Sequence, residues 1–160
     1  MSDCSKHIPV LLHETIKYLN LSDTGVYVDA TLGMGGYTSE ILKNSNCRLI
    51  AIDRDPKSIS NAYSLKRTFG VRFTAVNGLF SNLEKILNKL NIDKINGIAF
   101  DFGVSSPQID SPNRGFSFRF DGPLDMRMGE NIFSAADVIN NNERKTIENI
   151  LRDFGEEKKA

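Results

Sequence analysis

Cysteine and histidine are scarce in this sequence. Only two cysteines, Cys4 and Cys47, occur among 160 residues, without a CxxC pair, so neither a disulfide framework nor a cysteine-based zinc site is indicated. His7 and His13 have no third ligand at metal spacing, which favours packing or surface positions over a metal pair. We therefore expect no metal site and a reducing, cytoplasmic compartment.

Net charge and long apolar runs are also absent. Twenty basic residues balance twenty acidic ones, so the field of the whole protein gives no sign of attraction to nucleic acid, although it leaves room for a local basic patch. The first residues lack a signal-peptide core, and no apolar run approaches the roughly 20 residues that a membrane span needs. With 40% apolar and 25% charged residues, we expect a folded domain without a membrane partner.

Short apolar runs alternate with helical patterns over most of the chain, which indicates βαβ units and a parallel sheet covered by helices. From Phe102 to about Phe133 the alternation stops, and so long a connection is functional or begins an inserted region. The predicted strands are Val26–Ala30, Arg48–Asp53, Val71–Val76 and Ile95–Asp101. The predicted helices are Tyr37–Lys43, Pro56–Phe69, one opened by a capping box from Ser81 to Glu84, and two short ones capped from Ser134 and Asn142, after an amphipathic segment at Leu11–Leu19.

The first predicted strand runs into a glycine-rich turn, VDATLGMGG. Gly33, Gly35 and Gly36 lie between strand and helix, where missing β-carbons permit a sharp turn and let a ligand lie against backbone N–H groups. The dinucleotide fingerprint would need glycine where this chain has Thr38. The spacing D-x-x-x-G-x-G-G from Asp29 looks instead like the first motif of S-adenosylmethionine-dependent methyltransferases.

Two further side chains follow the ends of predicted strands. Asp53 stands 20 residues after Gly33, where a carboxylate can accept hydrogen bonds from ribose hydroxyls; the alternative is that it caps or solvates a strand end. Phe80 precedes Ser81 and either stacks on an adenine or forms the first half of a hydrophobic staple. The residues leave both alternatives open.

Five stretches together resemble one family: HIPVLLHE at 7–14, VDATLGMGG at 28–36, AIDRDP at 51–56, DFGVSSPQID at 101–110 and RGFSFRFDGPLDMRM at 114–128. They are similar to the bacterial ribosomal RNA small subunit methyltransferase H family. The resemblance implies an α/β fold with a Rossmann-like class I S-adenosylmethionine methyltransferase sheet. It also implies S-adenosyl-L-methionine as cofactor, 16S ribosomal RNA in the small ribosomal subunit as partner, and methyl transfer to N4 of a cytosine.

The resemblance further implies site residues. Tyr37 departs from the family's usual histidine but keeps a ring and a hydrogen-bonding tip. Asp101 is the catalytic candidate, because an amine that becomes cationic needs an acceptor for its N–H groups; the carbonyls of the SSP turn are the alternative acceptors, and capping of its own loop is the competing role for Asp101. Cofactor binding is expected at Gly33, Gly35, Gly36, Tyr37, Asp53, Phe80, Asp101 and Gln108.

The loop after the fourth predicted strand carries the candidate RNA contacts. It leaves the edge of an α/β sheet where ligands bind, so Ser105 and Ser106 are expected to face a cofactor and a base. Its aromatic and basic side chains are expected to meet single-stranded RNA by stacking and phosphate contacts. These side chains are Arg114, Phe116, Phe118, Arg119 and Arg127.

The family's proteins are longer than this chain and return to the sheet after an inserted helical domain. We expect residues 1–110 to form the N-terminal part of the cofactor-binding domain, with the first four strands, and residues 111–160 to begin the inserted substrate domain. The fourth strand then becomes a sheet edge, so we expect an isolated chain that is marginally stable or that depends on a separate polypeptide or a second copy.

Three functions stay open at the level of sequence. The first is the family's rRNA methylation. The second is a truncated, non-catalytic module that binds cofactor or RNA. The third is a fragment of an NAD-type oxidoreductase, which Thr38 and the downstream DFGVSSPQ disfavour.

Overall fold

A computed structural model describes residues 9–130 and 133–160. Four strands form one parallel sheet in the order β3-β2-β1-β4: β1 (Val26–Asp29), β2 (Arg48–Asp53), β3 (Phe73–Asn77) and β4 (Gly97–Ala99). The helices are α1 (Leu12–Leu19), α2 (Gly36–Asn44), α3 (Pro56–Asn61), α4 (Tyr63–Phe69), α5 (Leu83–Lys89), α6 (Ser106–Asp110), α7 (Ala135–Asn141) and α8 (Arg144–Asp153), with 3₁₀ turns at Gly70–Arg72, Phe80–Asn82 and Pro112–Arg114.

The strand order confirms the predicted Rossmann-like α/β sheet. The chain runs outward from β1 to β2 and β3, then crosses to place β4 on the other side of β1. The order therefore reverses between β1 and β4, and the crevice at the carboxyl ends of strands at such a switch point is where α/β sheets bind ligands. The glycine turn leaves β1 at this crevice.

Both faces of the sheet are buried, which explains the continuous apolar run of β2. Leu49 and Ala51 pack in one cluster with Ile41 and Leu42 of α2. Ile50 and Ile52 point to the opposite face, in a second cluster against which the apolar stripe of α5 packs. Because successive side chains of a strand alternate between faces, a central strand covered by helices on both sides is apolar at every position.

Strand positions agree with the sequence predictions, and strand lengths differ. The predicted strand at Arg48–Asp53 is confirmed, and β1 ends one residue early, at Asp29. A 3₁₀ turn at Gly70–Arg72 delays the start of β3 to Phe73. Only Gly97–Ala99 of the fourth predicted strand pairs with β1, so β4 is shorter than predicted.

Two predicted helix features between residues 56 and 84 are wrong. The helix predicted over Pro56–Phe69 breaks at Ala62, where the Ser60 hydroxyl donates to the Pro56 carbonyl at 3.0 Å; such back-bonding bends a helix. The capping box predicted from Ser81 does not form, because a 3₁₀ turn occupies Phe80–Asn82 and α5 begins only after Asn82, without a side-chain cap.

The chain divides into two compact units, Met1–Ser105 and Ser106–Ala160. In the second unit the Ser134 cap is confirmed: the Asp137 N–H donates to Ser134 Oγ at 3.2 Å, and the Ser134 N–H donates to the Asp137 carboxylate at 2.8 Å. The predicted cap at Asn142 is wrong, since α8 follows Glu143 and the Asn142 side chain instead donates to the Val138 carbonyl in α7. That this unit begins an inserted substrate domain stays a prediction.

In the described part of the chain, no helix combines the length and the apolar character needed to cross a membrane.

The outer edge of β4 is open within the described residues, where β4 pairs only with β1. A groove beside it, lined by α1 and Ile98, contains Leu11 and Tyr18, which are 65% and 83% exposed. Unpaired strand groups next to exposed apolar side chains are a template for association with another strand.

We expect the purified chain to self-associate as its concentration rises from low to high micromolar, because β4 and the groove beside it invite pairing. Sedimentation velocity measures this, and Tyr18→Lys should weaken the association by placing a charge in the groove. Tyr63→Lys is the matched control, since Tyr63 is 74% exposed on α4. A single monomeric species with one sharp unfolding transition over the whole range would contradict the prediction.

Candidate functional site

Two of the three glycines in the turn between β1 and α2 lie where a side chain would not fit. Gly35 has φ +78°, and a β-carbon there would lie 2.6 Å from Leu65 Cδ1. A β-carbon at Gly36 would collide with the Pro9 ring. The turn therefore packs its backbone directly on neighbouring elements and leads straight into the first turn of α2, whose N–H groups have no intrahelical partner.

Asp53 holds this turn from the end of β2. The Gly33 N–H donates to Asp53 Oδ2 at 2.8 Å, and the Asp55 N–H donates to Oδ1 at 2.9 Å. The strand-end role considered from the sequence is therefore present. Because a carboxylate offers about four acceptor sites, capacity remains for ribose hydroxyls, and the ribose role stays a prediction.

Asp29 lies under the turn and is fully buried. Its Oδ2 accepts the Thr38 hydroxyl at 2.7 Å and its Oδ1 accepts the Thr31 N–H at 3.2 Å. Burial raises the pKa of Asp29 to about 6, against the lowering effect of the hydrogen bonds from Thr38 and Thr31. The residue that breaks the dinucleotide fingerprint, Thr38, thus anchors α2 to the end of β1.

Tyr37 lies on the buried side of α2. Its side chain is 7% exposed, and its hydroxyl donates to the Val10 carbonyl. The Tyr37 side chain therefore holds the segment before α1. A cofactor contact by Tyr37 would be made by its backbone N–H, in the first turn of α2.

Asp101 follows β4 at the same edge of the sheet. Its N–H donates to Thr31 Oγ1 at 2.7 Å, and the Ala30 N–H donates to the Ala99 carbonyl at 2.9 Å. These bonds join the β4 end to the start of the glycine turn, while Asp101 itself is exposed. The arrangement suits a carboxylate that faces a ligand.

Three exposed phenylalanines form a cluster beside Asp101. The Phe80 ring meets the Phe100 and Phe102 rings edge-on at centroid distances of 5.7 Å, and Phe100 stacks on Phe102 at 5.3 Å. Phe80 lies two positions before the Asn82 cap of α5 and so does not occupy the staple position. Phe100 and Phe102 were not predicted as site residues from the sequence. Their positions on either side of Asp101 were the signal that could have identified them.

The other predicted residues belong to the second unit. Gln108 is buried within α6, and its contact with a cofactor stays a prediction. Arg127 pairs with Asp125 through two bonds, Nε to Oδ1 at 3.0 Å and Nη2 to Oδ2 at 2.6 Å, which lowers the pKa of Asp125 to about 2. Arg114 donates to the Arg127 carbonyl at 2.8 Å and lies 5.9 Å from the Phe116 ring centroid.

The five predicted RNA contacts therefore separate into two groups. Arg114, Phe116 and Arg127 interact with one another or with Asp125, whereas Phe118 and Arg119 are exposed.

Cys4 and His7 lie outside the described residues. Within residues 9–130 and 133–160, no cluster of three or more His, Cys, Asp or Glu side chains has a geometry suited to a metal ion.

The raised pKa of Asp29 predicts an unusual pH dependence of the free energy of unfolding. The folded state binds this proton more tightly than the unfolded chain, whose aspartate pKa is near 3.8. Above about pH 6 the buried charge thus lowers the free energy of unfolding by about 3 kcal/mol. This cost disappears as the pH falls toward 4. Asp29→Asn should remove this slope from the free energy of unfolding, measured by urea denaturation from pH 4 to 7.

The exposed Asp93→Asn is the matched control for that measurement. Its pH profile should run parallel to that of the wild type. An Asp29→Asn profile that also ran parallel would show that the Asp29 proton is not linked to folding.

Comparison with known proteins gives the family. The model of the MraW methylase family matches residues 4–160. Similar proteins are the ribosomal RNA small subunit methyltransferases H of Carboxydothermus hydrogenoformans, 48% identical over 96% of this chain and 50% of that protein, of Rhodospirillum rubrum, 44% identical over 100% and 49%, and of Mycoplasma capricolum, 49% identical over 95% and 50%.

The chain thus spans about half the length of the curated relatives it matches. The match nevertheless covers nearly all of this chain and includes the glycine turn, Asp53 and Asp101. The chain belongs to the MraW methylase family.

Proposed function

We propose that this chain takes part in the S-adenosylmethionine-dependent N4-methylation of a cytosine in 16S ribosomal RNA, in the cytoplasm. The observation that carries the proposal is the hydrogen bond from the Gly33 N–H to Asp53. It places a carboxylate with remaining acceptor sites beside an open glycine turn, which is how α/β sheets hold the ribose of a nucleoside cofactor.

The residues around the turn fit such a cofactor. A β-carbon at Gly33 would meet nothing closer than the Thr31 carbonyl, at 3.9 Å, so there is space against the backbone there. Asp53 would accept from the ribose, and the half-exposed Phe80 would border the adenine. S-adenosylmethionine, when bound, would supply an activated methyl group on its sulfonium sulfur.

Asp101 would serve the chemistry at the other end of the crevice. In methyl transfer the exocyclic amine of cytosine would gain positive charge as its bond to the methyl carbon formed, the carbon–sulfur bond would break to release S-adenosylhomocysteine, and the amine would then lose a proton. An exposed carboxylate held through its own backbone by Thr31 can accept a hydrogen bond from that amine and stabilise the developing charge. No covalent intermediate is needed, and the buried Cys47 takes no part.

A second candidate is a module that binds cofactor or RNA without turnover. It is favoured by the open edge of β4, next to the strand end that carries Asp101. In this case a separate polypeptide, or a second copy of the chain, would pair with β4 and complete the site. An NAD-type site is disfavoured, because Thr38 is buried against Asp29 where the fingerprint needs glycine.

Calorimetric titration of S-adenosylmethionine into the purified chain tests the proposal. We expect binding, and we expect Asp53→Ala to weaken it by about 10- to 150-fold, because a hydrogen bond to a charged group is lost. Asp53→Asn should be less damaging, since it keeps one oxygen that can accept from Gly33 or Asp55.

Asp93→Ala, which removes an exposed carboxylate after α5, is the control and should bind the cofactor like the wild type. If a chain shown by circular dichroism to be folded bound no S-adenosylmethionine, or if Asp53→Ala bound it unchanged, the proposed function would be wrong.

A further inference from the structure

The second unit contains a loop, residues 116–121, whose two ends are pinched together. Gly115 has φ +70°, and a β-carbon there would collide with the Pro123 carbonyl. A β-carbon at Gly122 would likewise collide with the Pro112 carbonyl. The chain entering the loop and the chain leaving it are therefore in backbone contact, which only glycine permits at these two positions.

Hydrogen bonds fix the neck of this loop. The Met126 N–H donates to the Arg114 carbonyl at 3.0 Å. The N–H groups of Ala135 and Ala136, at the start of α7, donate to the carbonyls of Asp125 and Leu124, both at 2.8 Å. The neck is thus anchored to a helix that has its own capping box.

Charged side chains strengthen the same frame. The bidentate pair between Arg127 and Asp125 lies within the segment that leaves the neck, and the Arg114 side chain reaches from the entering segment to the Arg127 carbonyl. Two of the arginines predicted to contact RNA therefore hold the loop, and they leave the contact itself to other residues.

The loop presents an aromatic tip, defined as Phe118, Arg119 and Phe120. Phe118 is fully exposed, and Phe120 is 50% exposed. Arg119 is exposed between them, and its N–H donates to Ser117 Oγ at 3.2 Å, which shapes the turn. Leaving a phenylalanine in water forgoes the free energy that burial of its ring would contribute.

We propose that the aromatic tip binds unpaired nucleotides of RNA, with bases stacked on Phe118 and Phe120 and a phosphate contacted by Arg119. This inference rests on the proposed function, because it assigns part of the substrate contact of an rRNA methyltransferase. Two rings separated by a guanidinium match the alternation of base and phosphate along a single strand.

Charge around the tip refines the inference. Asp121, next to Phe120, is exposed and offsets the charge of Arg119, so the loop of residues 116–121 has no net charge. Stacking then contributes more than phosphate attraction, and the tip prefers single strands, whose base faces are accessible, over duplexes. Binding through the tip should have a shallow salt dependence, close to that of one phosphate contact.

Fluorescence anisotropy with a labelled single-stranded pyrimidine 12-mer of RNA tests the inference on the full chain. Phe118→Ala and Phe120→Ala should each weaken binding by about 5- to 150-fold, the range for the loss of one stacked base. Arg119→Gln should weaken binding less and should reduce the slope of log affinity against log salt by about 0.7.

Phe118→Tyr and Phe118→Leu separate stacking from general apolar contact. Tyrosine should retain binding, whereas leucine should lose it. Retention by Phe118→Leu would show that binding does not depend on stacking of the ring and would overturn the inference.

Phe154→Ala and Arg152→Gln are the matched controls, because both residues are exposed in the same unit and Phe154 is 85% exposed. They should bind RNA like the wild type. No RNA binding by the wild-type chain, or tip variants that bind like the controls, would overturn the inference. Titration of S-adenosylmethionine into the same samples distinguishes failure of this inference from failure of the proposed function. If the chain binds the cofactor but the tip variants bind RNA like the controls, only the inference about the tip is wrong. If the tip variants lose RNA binding as expected but the chain binds no cofactor, only the proposed function is wrong.

Discussion

The hydrogen bond between the Gly33 N–H and the Asp53 carboxylate ties the turn after β1 to the end of β2. The Leu32 N–H also donates to the Ile52 carbonyl at 2.9 Å, so the Asp53 bond is one of two ties between the turn and β2. With it, the turn has a fixed conformation and one wall of the crevice is a carboxylate. The parallel sheet makes this possible because both strand ends lie at one edge.

Two further polar ties converge on the same edge. Thr38 and Thr31 hold the buried Asp29 below the turn, and Thr31 also accepts the Asp101 N–H from the end of β4. Thr31 thus connects a structural carboxylate to the candidate catalytic one. The cost is a buried acid with a raised pKa close to Asp53, whose charge contributes to the rise, and such a concentration of polar groups is typical of functional sites.

Features set by local pattern were predictable from the sequence. Apolar runs gave the four strands, and the glycine spacing with Asp53 gave the turn, because each depends on neighbours along the chain. The contact of Tyr37 with Val10 and the cluster of Phe80 with Phe100 and Phe102 were not predictable in this way. Each depends on which distant side chain fills a given space.

The same distinction applies to the second unit. The arginines of RGFSFRFDGPLDMRM look equivalent in sequence, but only the fold shows that Arg127 is paired with Asp125 while Arg119 is exposed. RNA contact was predicted from the aromatic and basic residues of this segment, and packing decides which of those residues remain exposed.

The most direct test of the account is a titration of S-adenosylmethionine followed by amide resonances of the ¹⁵N-labelled chain. We expect the largest shifts on Gly33, Gly35 and Gly36 and on the amides at the ends of β2 and β4. Shifts confined to other parts of a folded chain, or none at saturating cofactor, would contradict the claim that the Asp53-anchored glycine turn is a cofactor site.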